Sequence, residues 1–213
     1  YTPEDIIELI ARIVALKVNK PKDKLLHGYD PTGGGANLLF GVSDRLQKDG
    51  YKYIKTYGSE LNDSLYALSS IESRFRPMST IKYGNTLTMV PFADMEEGFD
   101  FIVANPPYGT KWKGYEKEVK ADKLGQFPAG LPSISDGQFL FMQHILWQLA
   151  DDGIAVEVHN GSTLFSGDAG SGESNIHTQI HLRSRLGGGY HTDAATGVFQ
   201  YRHLHLSVDY EQE

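Results

Sequence analysis

The sequence contains no cysteine, so disulfides and thiolate metal centres are excluded. It has no apolar run of about 18 residues that would span a bilayer, and no leader of the secretory type. The expectation is a cytoplasmic protein with no membrane partner. Cations are in the minority, 20 Lys and Arg against 27 Asp and Glu, for a formal charge of -7. Strong autonomous DNA binding rests on phosphate neutralisation, so a nucleic-acid enzyme of this charge needs a basic patch or a partner. No Lys-Ser/Thr pair follows a glycine turn, which excludes a phosphate-binding loop of that kind. What is present is a chain of 213 residues with 23 glycines, several of them clustered. That length suffices for one domain with a sizeable core. Tyr1 starts in mid-pattern, as a piece of a longer protein would.

The organising stretch is Asp100–Tyr108, reading DFIVANPPY. Phe101, Ile102, Val103 and Ala104 suit a short buried strand. Pro106 and Pro107 lack amide protons and stiffen the backbone, so the strand must stop at Asn105. A rigid Asn-Pro-Pro-Tyr at a strand end holds two acceptors, the Asn105 side-chain oxygen and the Pro106 carbonyl, beside the aromatic face of Tyr108. Such a set suits an amino group on a planar conjugated system.

The remaining segments read as supports for that site. Thr2-Pro3-Glu4-Asp5 opens a helix, with Thr2 as cap, Pro3 in the first helical position and Asp5 closing the box. Its apolar face is Ile6, Ile7, Leu9, Ile10, Ile13, Val14 and Leu16. Leu25–Tyr29 reads as a strand, followed by Asp30-Pro31-Thr32-Gly33-Gly34-Gly35-Ala36 and a helical pattern through Leu38, Leu39, Val42 and Leu46. Strand, acid, glycine turn and helix start is the geometry of a cofactor loop, because glycines allow close approach and the helix start offers free amides. A plain loop is the alternative. Lys52–Tyr57 reads as a second strand, and Glu60 follows it. An acid there can accept both hydroxyls of a ribose; an exposed Glu before a helix is the other reading. Asn62 or Asp63 caps a helix to Phe75 with Leu65, Leu68 and Ile71 inward.

Thr80–Tyr83 is a third strand, ending at Gly84-Asn85-Thr86-Leu87, and Pro91–Gly98 is a loop. Gly109–Lys123 reads as an exposed loop with five lysines, Lys111, Lys113, Lys117, Lys120 and Lys123. It is either a solvated face or a nucleic-acid-facing segment. Asp136 caps a long helix to Ala150, Asp151-Asp152-Gly153 ends it, and Ile154–Val158 is a strand. Phe139 and Phe141 either line the site or pack in the core. Asn160-Gly161-Ser162 turns the chain into Thr163-Leu164-Phe165, and Gly167–Ser174 is a glycine-rich loop. The order predicts an α/β fold with a mostly parallel, doubly wound sheet. The glycine turn, Glu60, Asn85 and Asn105 then converge at the carboxyl ends of strands, where ligands gather in such sheets.

Over residues 1–176 the chain resembles the modification (M) subunit of type I restriction–modification systems, N6-adenine DNA methyltransferases. Tyr1-Thr2-Pro3 matches the family's opening helix near the cofactor. Asp30-Pro31-Thr32-Gly33-Gly34-Gly35-Ala36 matches its first motif, Glu60 its ribose-binding acid, and Gly84-Asn85-Thr86-Leu87 its Gly-Asp-Ser/Thr-Leu loop. Asn105–Tyr108 matches the catalytic Asn-Pro-Pro-Phe/Tyr intact. Asp136-Gly137, Asn160-Gly161 and Gly167–Ser174 point to the type I subunit. The resemblance implies the fold of S-adenosylmethionine-dependent methyltransferases, S-adenosylmethionine as cofactor and no metal. It implies Tyr1, Thr2, Asp30, Thr32, Gly33, Gly34, Gly35, Glu60 and Asn85 at the cofactor, and Asn105, Pro106 and Tyr108 at the target base. It also implies an upstream helical domain, a DNA specificity subunit, a restriction subunit, and double-stranded DNA reached through that complex. A protein glutamine N5-methyltransferase, which uses a similar Asn-Pro-Pro-Tyr, and a catalytically silent component of a DNA-binding complex are the alternatives.

Three positions depart from the family. Gly33 stands for a usual Cys, loosening the turn; Ala36 for a glycine, crowding the cofactor with a methyl; and Asn85 for an Asp, removing charge at the cofactor's adenine. Residues 177–213 form an atypical tail with five of the 8 histidines, His177, His181, His191, His203 and His205, and with Gly187-Gly188-Gly189. Zinc is disfavoured there, with no cysteine and no helical carboxylate–His pattern. Gln200–Val208 alternates like an edge strand. Back-translated Arg185–Glu213, read one base out of frame with permitted codons, can give a string similar to the family's next segment. The expectation is a frameshifted tail with an early stop, a missing or aberrant last hairpin and an exposed apolar edge.

Overall fold

The computed structural model describes residues 2–159, Ile176 and residues 203–207. Helices α1 (Glu4–Lys17), α2 (Asn37–Lys48), α3 (Asp63–Arg74), α4 (Glu116–Lys120) and α5 (Gln138–Gln148) alternate with strands β1 (Leu25–Asp30), β2 (Tyr53–Glu60), β3 (Ser79–Tyr83), β4 (Phe99–Ala104), β5 (Leu149–His159) and β6 (His203–Ser207). The sheet order is β3-β2-β1-β4-β5-β6. Every pairing among these strands is parallel. The order reverses between β1 and β4, and such a switch point leaves a crevice outside the strand carboxyl ends.

β4 lies between β1 and β5, and Phe101, Ile102, Val103 and Ala104 are fully buried. Alternation sends Phe101 and Val103 to one face, with Ile10, Val14, Leu39 and Val42 of α1 and α2. Ile102 and Ala104 go to the other, with Tyr29, Phe92 and Ile145. Helices therefore cover both faces, as the continuous apolar reading of Phe101–Ala104 requires. Gly28 of β1 is paired with Phe101, whose ring lies across it. A Cβ on Gly28 would stand 2.0 Å from that ring, so any side chain there must displace it.

Several local expectations need correction. Thr2 does not cap α1. Pro3 holds the cap position, and its carbonyl accepts from the Ile6 and Ile7 amides. Leu9 and Leu16 are exposed, because the buried stripe of α1 is Ile10, Ala11 and Val14. The Asn62 side chain does cap α3, accepting from the Ser64 and Leu65 amides at 3.0 Å each. Yet Leu65, Leu68 and Ile71 face outward. The buried contact of α3 is the small Ser69, and Arg76 just beyond the helix pairs with Asp44 and lies 4.5 Å over the Phe40 ring of α2.

Residues 109–123 are not a plain exposed loop. Lys113–Tyr115 is a tight turn leading into α4, and Trp112 and Val119 are buried with Phe127, Leu140 and Phe141. All five lysines of the segment are exposed. Gly137 takes the cap position of α5, one residue after Asp136, although Asp136 accepts from the Gln138 amide at 3.0 Å. Phe139 and Phe141 are core residues. Asp151-Asp152-Gly153 belongs to β5, where the register shifts between the Phe99–Leu149 and Phe101–Ile154 pairs. Residues 203–207 form the expected edge strand, parallel to β5. Within the tail, residues 177–202 and 208–213 lie outside the described residues, and so does the expectation of a missing or aberrant last hairpin, as do Asn160–Ser162, Thr163–Phe165 and Gly167–Ser174.

Gly28→Ala is expected to destabilise the chain by about 1–3 kcal/mol, the usual cost of overpacking a core. Urea unfolding of Gly28→Ala and of Gly28→Ala with Phe101→Leu measures it. The smaller ring-free side chain is expected to return part of the loss, and a Gly28→Ala protein as stable as the parent would contradict the packing.

Candidate functional site at the strand carboxyl ends

β1 ends at Asp30, which is 2% exposed. Its Oδ1 accepts from the Thr32 amide at 2.9 Å and from the Thr32 hydroxyl at 3.3 Å, folding the chain back on itself. Burial pushes the Asp30 carboxyl up to about 7; the Thr32 hydrogen bonds oppose this and the Glu60 charge adds to it. Gly34 follows with φ +52 and open space around its α-carbon, so the outer face of the turn is accessible. Gly33 is not sterically required. A Cβ there would sit at ordinary contact distance, 3.4 Å from the Ser59 carbonyl. Ala36 has φ 64 and is fully buried in the core, so its methyl is in the core and not on the outer face of the turn. The left-handed conformation costs a non-glycine residue about 1 kcal/mol.

The second strand reaches further than its sequence pattern suggested, and Glu60 is its last residue. The Glu60 carboxylate accepts from the Gly34 amide at 2.7 Å and from the Asn62 amide at 2.6 Å. Gly33 in turn donates to the Ser59 carbonyl at 2.9 Å. The glycine turn and the end of β2 are thus one hydrogen-bonded unit. The loop after β3 joins it through the Gly84 amide, which donates to the Glu60 carbonyl at 3.0 Å. Asn85 is half-buried, and its side-chain oxygen accepts from the Leu87 amide at 3.0 Å, shaping its own turn.

β4 ends beside β1, so Asn105 emerges about one strand spacing, ~5 Å, from the line of Asp30. Pro106 is buried, while Asn105 and Tyr108 are half-buried. Both polar ends of the Asn105 side chain have partners. Its nitrogen donates to the Thr2 hydroxyl at 3.1 Å, and its oxygen accepts from the Tyr108 hydroxyl at 2.7 Å. Asp30, the glycine turn, Glu60, Asn85 and Asn105 therefore share one edge of the sheet, with Thr2 drawn in from the start of α1. Tyr1 lies outside the described residues.

Sequence reasoning missed the polar network beneath this edge. The buried Tyr29 hydroxyl contacts Ser59 Oγ at 3.0 Å, Thr86 Oγ1 at 3.5 Å and His144 Nε2 at 3.5 Å. Thr86 also donates to the Pro31 carbonyl at 2.7 Å. His144 Nδ1 lies 2.8 Å from Gln126 Oε1, an acceptor, so Nδ1 carries the proton and Nε2 accepts. Burial drives the His144 imidazole down to about 3, against the raising effect of Glu157 and Asp122, so it is neutral near pH 7. The network fastens the turn after β1, the end of β2 and the loop after β3 to α5. Its one sequence signal was a histidine on an otherwise apolar helix face. A second buried pair, Glu157 with His159 at 3.0 Å, continues the polar layer along β5.

A cavity of about 590 Å³ lies elsewhere, at the amino-terminal ends of β4 and β5. Lys20, His27, Glu96, Glu97, Asp100, Trp147 and Asp152 are among its walls. Asp100 there is spent on Lys20 at 2.9 Å and on the His27 amide at 2.7 Å. None of the site residues expected from the sequence lines it.

A family model described as N-6 DNA Methylase matches residues 1–184. The type I restriction enzyme EcoEI methylase subunit of Escherichia coli is 34% identical over 205 residues, covering 85% of this chain and 38% of that protein. The MpnII methylase subunit of Mycoplasma pneumoniae is 31% identical over 172 residues, covering 74% of this chain and 30% of the relative. The chain thus spans about a third of the curated relatives it matches. Among solved structures, a type I restriction-modification methyltransferase subunit from Streptococcus thermophilus superposes with a TM-score of 0.71 at 22% identity, covering 87% of this chain and 39% of its own. A putative class I S-adenosylmethionine-dependent methyltransferase from Listeria monocytogenes gives 0.66 at 18% identity, covering 85% and 50%. Both support the same sheet-and-helix fold.

Asp30 makes stability depend on pH in a definite direction. Between pH 3.8 and about 7 the folded chain keeps a proton that the unfolded chain has released, so stability falls as pH rises through that window. Asp30→Asn removes this contribution. Urea unfolding from pH 4 to pH 8 is expected to show a steeper decline for the parent than for Asp30→Asn; parallel profiles would contradict the buried, proton-holding carboxyl.

Proposed function

The chain belongs to the N-6 DNA methylase family, and we propose that it transfers a methyl group from S-adenosylmethionine to N6 of adenine in DNA, as catalytic part of a type I restriction–modification complex. The observation that carries this reading is Asn105-Pro106-Pro107-Tyr108 leaving β4 next to the Asp30–Gly35 turn. Relatives named as type I methylase subunits support the complex. In this reading a specificity subunit selects the DNA and a restriction subunit completes the assembly, in keeping with the acidic balance of the chain.

The residues of the edge fit the cofactor. The turn around Gly34 is open for close approach, and Glu60 stands at a strand end where a ribose would meet it. Asp30, held largely uncharged by burial below about pH 7, would ionise beside a cationic group. Asp30, Thr32, Gly33, Gly34, Gly35, Glu60 and Asn85 would hold the molecule. Bound there, S-adenosylmethionine supplies an electrophilic methyl group.

The chain's own residues act on the base. N6 of a paired adenine is buried in the stack, so the target must leave the duplex. Tyr108 offers its ring to the flipped base. The Asn105 oxygen and the Pro106 carbonyl would accept hydrogen bonds from the two N6 hydrogens, one of which leaves as a proton to solvent once N6 carries the methyl group. Holding both hydrogens turns the nitrogen lone pair out of ring conjugation and toward the methyl group. Fixed orientation and preset dipoles supply the acceleration, because the two prolines leave the acceptors little to reorganise. The Tyr108 hydroxyl now on the Asn105 oxygen yields that place to the base.

Asn105→Ala is expected to lower methyl transfer by on the order of a hundredfold or more while leaving S-adenosylmethionine affinity nearly unchanged. Radiolabelled methyl transfer to DNA, with the specificity partner present, and calorimetric cofactor titration measure the two. A parallel loss of both would contradict the assigned role. Label in protein glutamine instead of DNA would favour the protein methyltransferase reading, and partner binding without cofactor binding would favour a silent component. Asn85→Asp is expected to tighten cofactor binding severalfold, since a charged acceptor makes a stronger hydrogen bond than a neutral amide oxygen. Equal affinities in calorimetry would remove that contact.

A further inference from the structure

Thr2 was expected at the cofactor, yet the structure gives its hydroxyl a different partner. Thr2 is 7% exposed and accepts from the Asn105 side-chain nitrogen at 3.1 Å, across 103 residues of sequence. Pro3 has taken over the cap of α1, so the Thr2 hydroxyl is not engaged in helix capping. The support behind it is rigid, because Ile10, Ala11 and Val14 fix α1 in the core with no exposed surface.

We propose that Thr2 is a positioning residue for the base-facing side chain: it accepts the Asn105 Nδ2 proton and so keeps the Asn105 oxygen turned toward the target amino group. This rests on the methyl-transfer reading above. An Asn side chain has two ends of nearly equal shape and opposite hydrogen-bonding character. An amino group bound at Asn105 needs the oxygen end, which obliges the nitrogen end to face the other way. In a site that excludes water, an Nδ2 proton with no acceptor carries the desolvation cost of an unsatisfied donor. The Thr2 hydroxyl removes that cost. The Tyr108 hydroxyl holds the other end until the base arrives, so the amide is oriented before substrate binds.

The test compares the parent chain with Thr2→Val, which keeps the shape and deletes the acceptor, and Thr2→Ser, which restores it. Three quantities are read: kcat for DNA methylation in the assembled complex at saturating cofactor, the cofactor dissociation constant, and the ¹⁵N–¹H signals of the Asn105 side-chain amide. Thr2→Val is expected to lower kcat on the order of tenfold, to leave cofactor affinity within about twofold of the parent, and to shift the Asn105 amide signals. Thr2→Ser is expected to recover both kcat and the signals. Loss of cofactor affinity with unchanged kcat would overturn the proposal and return Thr2 to the cofactor. Identical Asn105 signals in all three proteins would overturn it as well. Should the parent complex fail to methylate DNA, the methyl-transfer reading fails, while the amide signals still decide whether Thr2 holds Asn105.

Discussion

The structure depends on the parallel pairing of β1 with β4 at the centre of the sheet. In that pairing Gly28 lies beneath the Phe101 ring, which occupies the place of a side chain. The pairing sets the two strand ends side by side, one continuing into the Asp30 turn and the other into Asn105 and two prolines. Because both strands run the same way, neither can be reached from the other by a tight hairpin. The intervening α2, β2, α3 and β3 make that crossover, and they contribute Glu60 and Asn85 to the same edge.

What keeps the edge in shape is less visible than what forms it. The edge is built from loops, and such segments open easily when few contacts hold them. Here they are tied to one another and to the layer below. Gly34 is bonded to Glu60, Gly84 to the Glu60 carbonyl, and Thr86 to the Pro31 carbonyl. Tyr29 links Ser59, Thr86 and a neutral His144 under full burial. A buried network of this kind rigidifies when every member has a partner. The result is a preset edge on the sheet.

Much of this was legible in the sequence because the signals were local. Phe101–Ala104 before Asn-Pro-Pro, and Leu25–Tyr29 before an acid and three glycines, carry strand, stop and turn within ten residues or so of each other. The rest was not local. Tyr29, Ser59, Thr86 and His144 are separated by up to 115 residues, and each is unremarked alone. The outward turn of Leu65, Leu68 and Ile71, with Ser69 buried and Arg76 against Asp44 and Phe40 of α2, involves another helix, which no periodicity within α3 contains. The Thr2 cap was a fair reading of Thr-Pro, overridden because Pro3 closes the helix and Asn105 claims the hydroxyl.

The glycine turn, Glu60, Asn85 and Asn105 are expected to work as one ligand-facing edge. Backbone amide NMR during titration with S-adenosylmethionine tests it most directly. Saturable shifts are expected at Gly33, Gly34, Gly35, Glu60, Asn85 and Asn105, all with one dissociation constant. Shifts confined to Lys20, His27, Asp100 and Asp152 around the opposite cavity, with the strand carboxyl ends unmoved, would contradict it.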